Sequence, residues 1–179
     1  MADLTSLPLR LDRKRARCRA IVESPQGSRC KFKYDPESGL FELDGLLPEG
    51  MRFPFDFGFV PQTLAEDGDP VDIVVLAAAP THVGCLVDVR LIGVIEAKQT
   101  EKGKKKPEDN ARLIGVAVDA YDWHEDLKST ADLSEGRLTQ WREFFTNYDR
   151  QHGKEFRVTG IGGPGRALKH LARYRKKKS

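Results

Sequence analysis

Apolar residues in the first two thirds of the chain fall in short runs rich in β-branched and aromatic side chains, set apart by turn residues. That is the pattern of strands rather than helices. The runs are Cys18 to Glu23, Arg29 to Tyr34, Leu40 to Leu43, Phe55 to Val60, Val71 to Ala78, Cys85 to Ala97 and Ala111 to Val118. In the second, Phe32 and Tyr34 alternate with Lys31 and Lys33, which predicts a strand with one wet face. Asp35-Pro36-Glu37-Ser38-Gly39 after it predicts a hairpin turn.

The last third changes period. Leu138, Trp141, Phe144, Phe145 and Tyr148 are spaced for one helical face, and Asp132 with Glu135 three residues on predicts a capping box upstream. Glu155 to Thr159 predicts a strand. A glycine-rich turn then leads to Pro164, suited to the first position of a helix carrying Ala167, Leu168 and Leu171. The pattern as a whole predicts an α+β fold, a curled or closed sheet with helices packed against it.

Length and composition narrow the picture. A chain of 179 residues predicts one domain, 1–179, and 39% apolar with 32% charged residues is a folding composition. The formal charge of +3 is small but unevenly placed. Arg10, Arg13, Lys14, Arg15, Arg17 and Arg19 crowd one end, and Arg173, Arg175, Lys176, Lys177 and Lys178 the other. Without the regular aromatic interleaving of a stacking platform, these read as solvated, partly flexible termini, and no nucleic-acid partner is expected. Three widely spaced cysteines with no CxxC fit a cytoplasmic setting. The longest apolar run, Ile73 to Ala79, falls far short of the roughly 20 residues of a membrane helix, so no membrane partner is expected. His82, His124, His152 and His170 have no ligand spacing and read as surface residues; Trp123 and Trp141 read as core or interface. Thr100 to Asn110 reads as a solvated hairpin loop, or as one whose Lys104-Lys105-Lys106 run faces a phosphate.

The chemistry sits in Glu66 to Val75, EDGDPVDIVV, where four acids in seven positions run into an apolar strand. Asp, Gly and Pro make turns without any function. Yet Asp67, Asp69 and Asp72 lie at a turn and a strand mouth, where their carboxylates can converge and would repel unless a cation were bound. Ligation by carboxylates without His or Cys suits a hard ion, Mg²⁺ or Mn²⁺, completed by water and substrate phosphates. Lys31, Arg112 and Lys154 are cations that can grip those phosphates.

DGDPVDIVV resembles the signature of the soluble family I inorganic pyrophosphatases, and the likeness extends over roughly residues 18 to 172. IVESPQGSRCKFKYDPESGLF looks like that family's N-terminal strands, with Glu23 at an acidic site position and Lys31 at that of a phosphate-binding lysine. FPFDFGFVPQTLAEDGDPVD, LVDVRLIGVIE, ARLIGV and FFTNYDRQHGKEFRVTG match further segments, the last containing a substrate-binding tyrosine, here Tyr148. The resemblance implies an OB-like closed β-barrel with two packed helices in the C-terminal third. It also implies Mg²⁺-dependent hydrolysis of pyrophosphate and a homo-oligomer. By the same resemblance Asp67 and Asp72 are metal ligands, with Asp72 shared between ions, Glu23 is an acidic site residue, Asp69 is the carboxylate near the nucleophilic water, and Lys31 and Tyr148 meet substrate; Arg112 is a candidate for the same role by its charge alone.

The chain also departs from the family. Gly45 stands where an arginine grips phosphate, Phe53 and Phe57 where tyrosines stand, Asp149 for a lysine and Lys33 for a glutamate. Two expected aspartates align near Gln99 to Glu101 and on Asn110, with Asp109 one residue away and Glu101, if the loop reshapes, as candidate replacements. Arg52, Lys33, Arg112 and Arg150 are candidates to reach the same phosphates from other directions. Alternative readings are a lapsed relative that binds phosphate, a nucleotide or a protein, and a hydrolase of a larger phosphoanhydride.

Overall fold

The computed structural model describes residues 3–104, 106–118, 123–151 and 153–176, without the side chains of Trp123 and Glu125. Lys105, His152, Lys177 and Lys178 lie outside the described residues. The strands are β1 (Arg17–Ser24), β2 (Cys30–Asp35), β3 (Leu40–Leu46), β4 (Asp56–Phe59), β5 (Asp72–Leu76), β6 (Leu86–Glu101), β7 (Glu108–Asp109), β8 (Arg112–Ala117) and β9 (Lys154–Gly162). The helices are α1 (Glu135–Gln151) and α2 (Pro164–Tyr174), with 3₁₀ turns at Leu4–Ser6, Trp123–Asp126 and Thr130–Asp132.

Strand pairings run β1, β4, β5, β8, β6 and come round to β1 again, an OB-like ring. Only the β5–β8 pair within this ring is parallel. The long β6 makes the ring possible: Leu86–Arg90 pairs with β1, its middle with β8, and its far end with β7 and β9. β2 and β3 form a separate hairpin about the predicted turn.

Period-2 alternation divides each buried strand between two cores. Ile73, Val75 and Leu113 face a cluster closed by Ala167 and Leu171 of α2. Val74, Leu76 and Ile114 face an aromatic cluster of Phe53, Phe55 and Phe57 with Trp141, Phe144 and Phe145 of α1. Phe55 meets Trp141 edge-on, ring centroids 5.4 Å apart. At Gly58 the β1 and β4 backbones run so close that a Cβ would lie 1.8 Å from the Ile21 carbonyl oxygen, so no larger residue fits there.

Three expectations change. Asp132 does not start α1: it closes a capping box with Ser129 on the preceding 3₁₀ turn, and Ser134 Oγ accepts the Arg137 amide at the head of α1. Gly160 and Gly162 belong to β9 rather than to a turn, because β9 stays paired to β6 as far as Gly162. His124 is buried rather than at the surface, and His170 is partly buried and bonds Glu96 Oε1 at 3.2 Å.

Candidate active site

The turn between β4 and β5 carries the acids. Asp67 Oδ1 accepts the Asp69 amide at 3.1 Å, and the Ala65 amide donates to the Asp69 carbonyl at 2.7 Å, closing the turn on itself. Gly68 takes φ +89°, a left-handed conformation that glycine enters at least cost. Asp72 opens β5, so the three carboxylates stand at the mouth of the sheet.

They border a pocket of about 750 Å³. Its walls bring Glu23 from β1, Lys31 and Lys33 from β2, Asp44 from β3, Gln99 from β6, Arg112 from β8, Tyr148 and Asp149 from α1, and Lys154 at the head of β9. Among the described residues eight acidic and five basic side chains line it.

Burial pushes the Glu23 carboxyl up to about 7; the Tyr34 amide, 2.7 Å from Oε1, pulls the other way and nearby Asp72 adds to the rise. Burial also pushes Asp72 up to about 6, opposed by Arg112 and helped by Asp67. Asp67 rises for the same first reason. Burial thus makes the ionised forms of these acids costly. Lys31 is held charged despite its burial, by Tyr148 and by Asp44, whose Oδ2 lies 2.5 Å from Nζ. Its Nζ also sits 5.4 Å from the centroid of the Tyr148 ring.

Arg112 is placed more deeply than a cation meant to meet substrate. It is 3% exposed, with its guanidinium 4.5 Å from the Phe145 ring and 4.3 Å from the Phe156 ring. Nη1 donates to Asn110 Oδ1 (3.0 Å) and Nη2 to Asp149 Oδ2 (3.5 Å), while Nε lies 3.8 Å from Asp72 Oδ2. Asn110 Nδ2 in turn donates to Gln99 Oε1 at 2.8 Å. The lysine-to-aspartate departure at Asp149 thus has a structural partner, a buried arginine.

The structure brings together Glu23, Asp67, Asp69, Asp72, Lys31, Arg112, Tyr148 and Lys154. It does not bring Asp109. That carboxylate is clasped by Lys98 (2.5 Å) and by Arg173 of α2 (3.2 Å), and borders a second cavity of about 10 Å³ beside His170 and Tyr174. β7 explains it: Asp109 pairs opposite Lys98 in the ladder, and a one-residue step along a strand turns a side chain to the other face. Of the compensating cations, Lys33 and Arg112 border the pocket. Arg52 donates to the Gly27 carbonyl and Arg150 to Asn147 Oδ1, and neither lines it. Lys104 ties Glu101 to Glu108 across the loop rather than facing the pocket. Asp44 and Lys176 also line the pocket and were not expected there; the β2–β3 pairing, with its bulge after Lys31, brings Asp44 in, and nothing local in the sequence signals it.

The family model for inorganic pyrophosphatase matches residues 20–178. The inorganic pyrophosphatase of Geobacillus stearothermophilus is 37% identical over 163 residues, 89% of this chain and 94% of that protein. That of Thermus thermophilus is 37% identical over 98% of this chain and 99% of its own length. The crystal structure of the pyrophosphatase from Thermus thermophilus superposes with a TM-score of 0.83 at 36% identity, covering 97% of this chain and 99% of that one. The structure from Neisseria gonorrhoeae gives 0.84 at 26% identity, covering 96% of each. Matched along nearly all its length in sequence and in fold, the chain belongs to the inorganic pyrophosphatase family.

Proposed function

We propose that the protein, as the single domain 1–179, hydrolyses inorganic pyrophosphate to two phosphates with a divalent cation, Mg²⁺ or Mn²⁺. One observation carries this reading: Glu23, Asp67, Asp69, Asp72, Lys31, Tyr148 and Arg112, from four strands, a turn and a helix, border one pocket.

The donor chemistry fits such an ion. The candidate ligands are carboxylates, and among the described residues no three His, Cys, Asp or Glu side chains close on a single point. Mg²⁺ is commonly held in that way, by one or two carboxylates, with water and phosphate oxygens filling the rest of its shell. The excess of acids over cations also means that a bare polyanion is repelled. A bound ion supplies acidified water and neutralises phosphate charge.

The protein's own groups do the rest. Asp67 and Asp72, with Glu23 beside them, hold the ion. Asp69 takes the proton of the attacking water at Oδ1, since Lys33 Nζ engages Oδ2 at 2.9 Å. The new oxygen–phosphorus bond forms as the bridging one breaks, and Lys31 with the Tyr148 hydroxyl donates to the departing phosphate. Arg112 offsets charge from behind the wall. The same reading has the protein in the cytoplasm and self-associating, with the exposed apolar residues Leu40, Leu43 and Leu46 of β3 available for it. Among the described residues no helix is long and apolar enough to cross a membrane.

The test is phosphate release from pyrophosphate with Mg²⁺ or Mn²⁺ titrated, beside Asp69→Asn. Metal-dependent release that falls about 10²- to 10⁴-fold in the variant is expected for loss of a general base. A second reading is favoured by one observation, the neutral Gln99–Asn110 pair where the resemblance puts acids. It predicts no release in either metal, with a nucleoside triphosphate cut instead or phosphate merely bound.

A further inference from the structure

Two of the three signature carboxylates already carry a cation supplied by the protein. Lys33 Nζ lies 2.9 Å from Asp69 Oδ2, and Arg112 Nε 3.8 Å from Asp72 Oδ2. We infer that Lys33 and Arg112 are resident counter-charges that stand in for divalent ions at Asp69 and on the β8 side of Asp72, so that the substrate-free site holds a single divalent ion. The ion is held by Asp67 and Asp72.

Arg112 is a permanent fixture. Its side chain is 4% exposed, lies against both the Phe145 and the Phe156 ring and is bonded to Asn110 and Asp149, so it cannot leave without abandoning both rings and two polar partners. A divalent ion on that side of Asp72 would meet the repulsion of this fixed guanidinium. Lys33 is different in kind. Its side chain is 48% exposed on the β2 hairpin, and it reaches Asp69 as a flexible point charge. It blocks a cation at Asp69 while the pocket is empty and can turn to phosphate when substrate arrives.

The β6–β8 wall offers no replacement. Asp109 is clasped by Lys98 and Arg173. The next residue, Asn110, has its amide engaged by Gln99 and Arg112 and carries no charge. Asp67 is the exception: its Oδ1 is bonded to a backbone amide, and among the described residues no cation lies within ion-pair distance of it. A pocket arranged this way imports one divalent ion with fixed protein charge around it and receives any other with the substrate. This inference uses the metal of the proposed function but does not need its chemistry.

The experiment is Mn²⁺ binding to chelator-treated full chain without substrate, read by the loss of the free Mn²⁺ electron paramagnetic resonance signal, for wild type, Lys33→Gln and Asp67→Asn. Wild type is expected to bind one Mn²⁺ per chain, Asp67→Asn to lose it, and Lys33→Gln to take a second ion or to bind at least about tenfold more tightly. Lys33 is half exposed on its hairpin, so its variant should fold; circular dichroism checks this, and Lys33→Arg, which keeps the charge, should stay at one ion. Any other stoichiometry in wild type, or a Lys33→Gln curve that superposes on it, overturns the inference. Phosphate release measured on the same samples separates the two claims. One ion without hydrolysis sinks the proposed function alone, and hydrolysis with several tight ions sinks this inference alone.

Discussion

Glu23 has its carboxyl pushed by burial from an ordinary 4.5 up to about 7, and Asp72 from 3.8 up to about 6. A raised carboxyl pKa means that the folded state binds more protons than the unfolded one across that interval, so stability falls as pH rises through it. The contribution of Glu23 is therefore fully present below about 4.5, the unfolded value, and lost by about 7. In chelator, the unfolding free energy of wild type relative to Glu23→Gln should decline between those limits. Urea titrations at a series of pH values measure this difference, and a flat curve would refute it. Saturating Mg²⁺ should flatten it, because a cation favours the ionised form. Residue identity also explains the quiet Asp149: at a position expected to carry a lysine, a carboxylate is tolerated because it faces Arg112.

Helix α1 is the element on which both core and site depend. One side of it carries Trp141, Phe144 and Phe145 into the aromatic cluster, and its next turn delivers Tyr148 and Asp149 to the pocket. Phe55, 1% exposed, is the ring that joins β4 to that helix, touching Trp141, Phe144 and Phe145 at centroid distances of 5.4–5.6 Å. Phe55→Ala should cost about 3–5 kcal/mol in urea unfolding, the usual range for an aromatic cavity. A loss under about 1 kcal/mol would mean that the cluster collapses around the gap and that its packing is not what holds α1 in place. Leucine there should lose less, since it refills part of the volume.

For the molecule as a whole, the acid-rich pocket is an electrostatic debt that a cation relieves. Mg²⁺ at about 100 times its dissociation constant should stabilise the native state by about 2.7 kcal/mol, roughly 5–10 °C in melting temperature for a chain of this size. Asp67→Asn should abolish that shift. Differential scanning calorimetry with Mg²⁺, and with KCl at matched ionic strength, measures it, and equal shifts from the two salts would reduce the effect to general screening.

How much of this was legible before any coordinates depends on the range of the interaction involved. Strand and helix periods are local, so every predicted element appears; apart from the short β7 inside the predicted loop, the strand errors lie at edges: β6 runs on to Glu101 and β9 through Gly162 because ladder partners, not propensity, decide where a strand stops. The acidic turn was legible for the same reason, since its residues are neighbours in the chain and Gly68 supplies the conformation that turns them. What only the tertiary structure decided is which charges meet. Asp109 and Asn110 are adjacent in sequence, yet one is clasped by α2 and the other joins the pocket wall, a difference of strand face. Lys33 lies 36 residues from Asp69, and Arg112 37 from Asp149. Electrostatic energy depends on separation through space, and separation along the chain does not predict it once a sheet has closed into a ring.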